Sequence, residues 1–176
     1  MQNSTSTLIA LFVAAVFLFV VPLVTLTTRN DNVVQEDVNL IVKEFVTDIK
    51  NTGVLTQEKY QSFQNKLAAT GNTYNIDMEI KHLDENPGKK LTQANYSKIG
   101  EDVYWSEYTS QIIETLESSN DSTITLKKGD RIYVSVSNQN STAAQTLQSS
   151  TLKIANDGEQ VIKADDDGMV KVDGVK

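Results

Sequence analysis

An uninterrupted apolar run over residues 8–26 constrains this chain more than any other feature. The run has no charged side chain, and Thr25 is its one hydrogen-bonding side chain. About twenty such residues in a helix, rising about 1.5 Å each, match the ~30 Å hydrocarbon core of a bilayer. A lone span in lipid must be helical, because its backbone has to satisfy its own hydrogen bonds. The sequence therefore predicts a polar tail over residues 1–7 and a transmembrane helix over residues 8–28, with membrane lipid as its partner.

Two alternatives compete with an anchor for this run. A cleaved secretory signal has a basic leading region and a small-x-small cleavage site, whereas residues 1–7 contain no Lys or Arg and the run ends in TLTTR. A buried core helix usually keeps a polar stripe, whereas this run is apolar on every side. We therefore expect a single-pass anchor, with signal cleavage and core burial as the alternatives.

Charge says little about orientation, because Arg29 is the one basic residue close to the run. The chain has 176 residues, a net charge of −7 and no cysteine. An acidic, cysteine-free domain suits the outside of a bacterial cell membrane, and the opposite orientation is the alternative. The excess of acid argues against nucleic acid as a partner, since phosphates attract basic surfaces.

A second helical segment is predicted over residues 29–53, ending at Gly53. It either continues from the anchor or starts again at a cap on Asp31 or Asn32. One apolar stripe repeats at helical spacing and could face its own domain or a neighbouring subunit. The stripe consists of Val34, Val38, Ile41, Phe45 and Ile49.

An α+β ectodomain with a small antiparallel sheet and two or three short helices is predicted over residues 54–154. Thr56 is a good cap for a helix that folds back on the first. Residues 73–83 alternate as a half-buried strand does. A further helix is expected over residues 101–116, a hairpin over residues 123–136, and a short helix after a Ser141 cap. The acidic segment over residues 155–176 is predicted to carry short strands.

Little in the chain points to catalysis or to a cofactor. There is no cysteine, and His82, the one histidine, is expected to lie exposed at a strand end. We therefore expect no enzyme. Five aromatic residues at helical spacing could form a ligand surface but are more typical of a core. They are Tyr60, Phe63, Tyr104, Trp105 and Tyr108.

An acidic turn is the one candidate for a metal site. Asp165, Asp166 and Asp167 precede Gly168, and hard cations bind clustered carboxylates. An EF-hand register would place Lys163 first and supplies no final glutamate, so this motif is excluded. A solvated acidic turn and a weak calcium site that also uses Asp157 stay open as interpretations.

The order of parts resembles type IV pilins and the pilin-like proteins of tight-adherence and type II secretion systems. Three stretches resemble small anchored proteins of Gram-positive bacteria that are associated with pilus gene clusters: LTQEKY at 55–60, TGNTY at 70–74 and GMV at 168–170. The family typically has a basic leader ending in glycine and a glutamate at the fifth mature position, whereas the fifth residue here is Thr5. This departure would fit an unprocessed variant or a pilin-like protein that stays in the membrane.

The resemblance implies a non-enzymatic structural subunit that assembles through its N-terminal helix. Small residues let helices approach in lipid, and Ala10, Ala14 and Ala15 offer such positions. A bulky residue at Ala14 is expected to weaken assembly without unfolding the ectodomain. The alternative is a monomeric, membrane-tethered binding or sensor domain at the cell envelope.

Overall fold

A computed structural model describes residues 2–83, 104–118, 122–151 and 162–175 of the chain. Its first element is one unbroken helix of 51 residues, α1 (Gln2–Thr52). Residues 2–7, which belong to the predicted polar tail, are helical and form the start of α1. The prediction that the second helix continues from the first is confirmed. Three threonines return their hydroxyls to carbonyls within α1, so they add no unsatisfied polar group to it.

The described strands form two antiparallel sheets. The small sheet pairs β1 with β4, and the larger one has the order β3-β2-β5-β6. The architecture confirms an α+β fold in which a long N-terminal helix precedes antiparallel sheets and short helices. After α1 the elements are β1 (Val54–Thr56), α2 (Gln57–Ala68), β2 (Tyr74–Leu83), β3 (Tyr104–Tyr108), α3 (Thr109–Ser118), β4 (Thr123–Thr125), β5 (Arg131–Asn138), α4 (Ala143–Thr151) and β6 (Lys163–Met169).

The second half of α1 packs against the larger sheet and forms the core with it. Small residues on β6 permit close approach, since a Cβ at Gly168 would lie 1.8 Å from Cδ of Lys50. The predicted stripe therefore faces its own domain, and its use as an assembly surface is wrong. Val34, Val38, Phe45 and Ile49 are buried, and Ile41 packs against the same cluster.

Helix α2 folds back on α1, as predicted. Its cap is Thr56, whose hydroxyl accepts a hydrogen bond from the Lys59 N–H at 3.2 Å. The rings of Phe45 and Phe63 stack with centroids 4.2 Å apart, which joins the two helices. Burial raises the pKa of the Tyr60 hydroxyl, and its hydrogen bond with Gln64 opposes that rise.

The helix predicted over residues 101–116 is wrong in its first half. Residues 101–103 lie outside the described part, Tyr104–Tyr108 is strand β3, and the helix begins at Thr109. Pairing with β2 satisfies the backbone of β3, which outweighs its helical spacing. The Gln111 side chain accepts from the Tyr108 N–H at 3.0 Å and so caps α3. As a result Trp105 and Tyr108 are exposed, and their assignment to the core is wrong.

The predicted hairpin over residues 123–136 is also wrong, although both strands exist. Strand β4 pairs with β1, whereas β5 pairs with β2 and β6. The Leu126 N–H donates to the Gly53 carbonyl at 2.8 Å, which fastens the end of β4 beneath the end of α1. The turn that follows then directs β5 into the other sheet.

The C-terminal part is not a separate segment, because β6 is a full member of the larger sheet. A boundary at residue 155 would divide one domain. The cap of α4 is Thr142 rather than Ser141, since Thr142 and Gln145 exchange hydrogen bonds as in a capping box. The Thr142 hydroxyl also donates to the buried Asp31 carboxylate at 2.6 Å. Asp31 therefore ties α4 to α1 instead of starting a helix.

The turn after α1 generates a first prediction. Gly53 has φ of +65°, and a Cβ there would lie 2.6 Å from the Gly174 nitrogen, whereas Gly71 has φ of +84° and open space around it. We expect Gly53→Ala to lower the free energy of unfolding by about 2 kcal/mol or more, because strain and a backbone clash add. Gly71→Ala should cost about 1 kcal/mol. Chemical denaturation of both variants measures this, and equal losses would contradict it.

Candidate functional site

The N-terminal half of α1 is the most unusual surface of the molecule. Helix α1 is the one described helix that is long and apolar enough to cross a membrane, and no part of its apolar window is buried. Large side chains such as Leu11, Phe12, Leu18 and Phe19 are about 70% exposed. A membrane anchor and a signal sequence both fit this observation.

One exposed line of apolar side chains continues from this half into the half that carries the domain. Its members are spaced seven residues apart, so they drift only about 20° per step around the helix. Val33 and Leu40 lie beyond the apolar run and are 57% and 59% exposed. We call this line the outer stripe, and it comprises Phe12, Phe19, Leu26, Val33 and Leu40.

The three predicted small residues do not share one face. Ala15 lies in the outer stripe's line, since it precedes Phe19 by four residues and follows Phe12 by three. Ala10 and Ala14 lie one above the other on roughly the opposite side of α1. Of the predicted assembly residues, these three alanines are exposed, and the stripe from Val34 to Ile49 is taken up by the core.

The acidic run that was interpreted as either a solvated turn or a weak calcium site is part of a strand rather than a turn. Asp165, Asp166 and Asp167 lie in β6 opposite Ser135, Val134 and Tyr133. Successive side chains alternate across a sheet, so the three carboxylates cannot converge on one ion. Asp157 lies outside the described residues, and no metal-binding group of three ligands occurs among the described ones. Charges on an edge strand oppose pairing with another chain, which is the physical role open to this run.

His82 is not the exposed residue that its position at a strand end predicted. Its Nδ1 lies 3.0 Å from Oδ2 of Asp130, and its ring stacks on Trp105 with centroids 4.3 Å apart. The buried Asp130 carboxylate also accepts from the N–H groups of Leu83 and Lys127, both at 2.9 Å. Glu107 approaches Nε2 of His82 at 3.8 Å.

This cluster was missed because its members come from three separate strands and turns. The alternation of Tyr104, Ser106 and Tyr108 was the one signal that could have placed Trp105 beside His82. The Ser106 hydroxyl donates to Glu79 and is therefore directed away from His82. A serine nucleophile would instead be hydrogen-bonded to the histidine that acts as its base. The cluster joins the β2–β3 edge to the turn before β5.

The chain shows no match to a known protein family, and no curated protein or solved structure matches it. The resemblance to type IV pilins therefore stays a prediction.

The Asp130 cluster generates the second prediction. We expect Asp130→Ala to lower the free energy of unfolding by about 3 kcal/mol, because it leaves the N–H groups of Leu83 and Lys127 without their acceptor and removes the partner of the His82 ring nitrogen. The emission of Trp105, the one tryptophan, reports unfolding of the micelle-bound full chain. Asp173→Ala removes a single acceptor at an exposed site and is the control. Similar small losses of unfolding free energy in both variants would show that the Asp130 cluster does not stabilise the fold.

Proposed function

We propose that this protein is a single-pass, membrane-anchored structural subunit that associates with copies of itself through α1. The domain lies outside the cytoplasm, and the assembly is a fibre or part of the apparatus that builds one. The observation that carries the proposal is the outer stripe. It continues past the span to Leu40, where water rather than lipid surrounds the helix.

Lipid can cover Phe12, Phe19 and Leu26, but it cannot cover the rest of the stripe. Leu40 lies 14 residues beyond Leu26, which is about 21 Å along a helix. Burying an exposed valine or leucine stabilises a complex by about 1.5–3 kcal/mol each, so a partner helix is the natural cover. A strict seven-residue repeat suits a partner of the same kind that winds around α1 with a left-handed supercoil.

The rigid join between anchor and domain also supports a structural role. The buried half of α1 shares the core with β5 and β6, and Gln35 pairs both its side-chain oxygen and nitrogen with the backbone of Lys163, at 2.9 and 2.7 Å. A force on the anchor therefore reaches the sheet directly. A flexible tether would instead suit a domain that searches for a ligand.

Cross-linking in intact cells tests the proposal, and the chain has no natural cysteine to interfere. We expect cysteine at Val33 or Leu40 to give disulfide-linked dimers readily. Asn32 and Asn39 are matched controls, since each is exposed, precedes a stripe residue and points about 100° away. Equal cross-linking at all four positions, or none at any, would contradict assembly through the outer stripe.

A charge in the outer stripe should weaken assembly without unfolding the domain. We expect the double variant Val33→Asp/Leu40→Asp to reduce cross-linking through a cysteine at residue 19 by about tenfold or more, because the carboxylates would be desolvated between helices. Asn32→Asp/Asn39→Asp adds the same charge on the neighbouring face and should leave the cross-linking unchanged.

The anchor itself is tested in the same samples by the mass of the membrane-extracted protein. Loss of residues 1–28 would contradict the anchor.

A further inference from the structure

A groove lined by lysines lies at the end of the domain farthest from the apolar half of α1. We call it the tip groove, and its volume is about 640 Å³. Three separate parts of the chain form it: the last turn of α1, the turn before β5, and the end of β6 with the residues that follow it. Its lining comprises Lys50, Lys128, Gly129, Met169, Val170 and Lys171.

Backbone hydrogen bonds hold these three parts together, so the groove is formed before any ligand arrives. The Lys171 N–H donates to the Lys50 carbonyl at 2.9 Å, and the Gly129 N–H donates to the Val170 carbonyl at 3.1 Å. Gly129 has φ of +100°, which lets the turn lie flat against that segment. A preformed site binds with less loss of conformational entropy.

The charge of the tip groove contrasts with the rest of this acidic chain. Elsewhere several cations lie next to carboxylates, as in Lys59–Asp48 at 2.7 Å and Lys66–Glu44 at 3.0 Å. Within the described residues, the Asp173 carboxylate accepts from the Lys128 N–H at 2.8 Å, but no carboxylate forms an ion pair with the ammonium group of any of the three lysines of the groove. Lys50 suits the negative end of α1, but the helix end does not account for the other two. The three ammonium groups outnumber this one carboxylate, and an anion would relieve the repulsion between them.

The lining of the tip groove also includes the apolar residue Met169, which favours an anion that carries an apolar group. Met169 is 51% exposed there, and a flexible thioether adapts to varied apolar groups. The lysine stems add further apolar surface beneath their charged ends. The bilayer that holds this chain is out of reach, because Lys50 lies 24 residues beyond Leu26, about 36 Å along α1.

We propose that the tip groove binds an acidic peptide segment of a partner protein, with carboxylates at Lys50, Lys128 and Lys171 and one apolar side chain against Met169. Carboxylates match the three ammonium groups in charge. An apolar side chain covers Met169, which a purely hydrophilic polyanion would leave exposed to water. This proposal does not rest on assembly through α1, and its test does not measure self-association.

The test uses the full chain in nanodiscs of zwitterionic lipid and fluorescence anisotropy of a labelled peptide rich in glutamate with two leucines. We expect Lys128→Glu/Lys171→Glu to weaken binding by about tenfold or more. Lys43→Glu/Lys163→Glu makes the same change of net charge at exposed positions away from the groove and should alter binding by less than about twofold. A second peptide has glycine in place of both leucines. Met169→Ala should weaken binding of the leucine peptide about threefold and leave binding of the glycine peptide unchanged.

Three outcomes would overturn the proposal. Equal loss in the two double variants would mean that net charge alone attracts the peptide. Equal binding of the leucine and glycine peptides, matched by inorganic polyphosphate, would mean a general polyanion site. Absence of peptide binding by the unaltered chain at low salt would mean that the groove is not a peptide site.

The variant Lys128→Gln/Lys171→Gln, which should also weaken binding, separates loss of charge from loss of fold. Its denaturation curve should match that of the unaltered chain.

Discussion

One unbroken helix carries both an exposed apolar half and a half that is buried in the core, and the rest of the structure depends on that constraint. The second half of α1 supplies one side of the core, in which Val38, Val46 and Ile49 are fully buried. The apolar window in the first half has no buried residue. Because the helix is unbroken, the domain cannot fold without fixing the direction and rotation of the apolar half.

The close approach of α1 to the sheet explains why small residues occur at certain positions of β6. Ala164 and Gly168 face the helix, and a side chain at Gly168 would displace Lys50. Large residues at these positions would push the helix outward and open the core. The acidic residues between them occupy an edge strand, where their charge opposes pairing with other chains. The exposed Asp165 and Asp167 fit this role, whereas Asp166 lies on the same face as Ala164 and Gly168 and has a buried carboxylate oxygen.

Local signals predicted the elements whose partners lie nearby in the chain. The helix α2 follows from the Thr56 cap and from the spacing of Phe63 and Leu67, and β2 follows from its alternation. Predictions from the sequence were wrong where pairing with a strand distant in the chain determines the secondary structure. Trp105 has helical spacing to Tyr108, yet β2 recruits both into a strand. The hairpin over residues 123–136 failed for the same reason, since β1 takes β4 as its partner.

The candidate surfaces differ in how far the sequence could reveal them. The apolar run is visible at once, because its length and lack of charge need no structural context. The outer stripe becomes visible only when burial separates Val33 and Leu40 from the core residues beside them. The tip groove could not be foreseen at all, since Lys50, Lys128 and Lys171 meet only through long-range pairing.

The geometry of α1 allows both proposed contacts at the same time. The outer stripe and the buried residues lie on different sides of the helix, so a neighbouring α1 would not compete with the sheet. The stripe ends at Leu40, and Lys50 lies about 15 Å farther along the helix. A neighbour that covers the stripe would therefore leave the tip groove open to a partner protein. An assembly of such subunits would display one basic groove per copy at a fixed height above the membrane, and even weak individual binding would then be strengthened by multivalency.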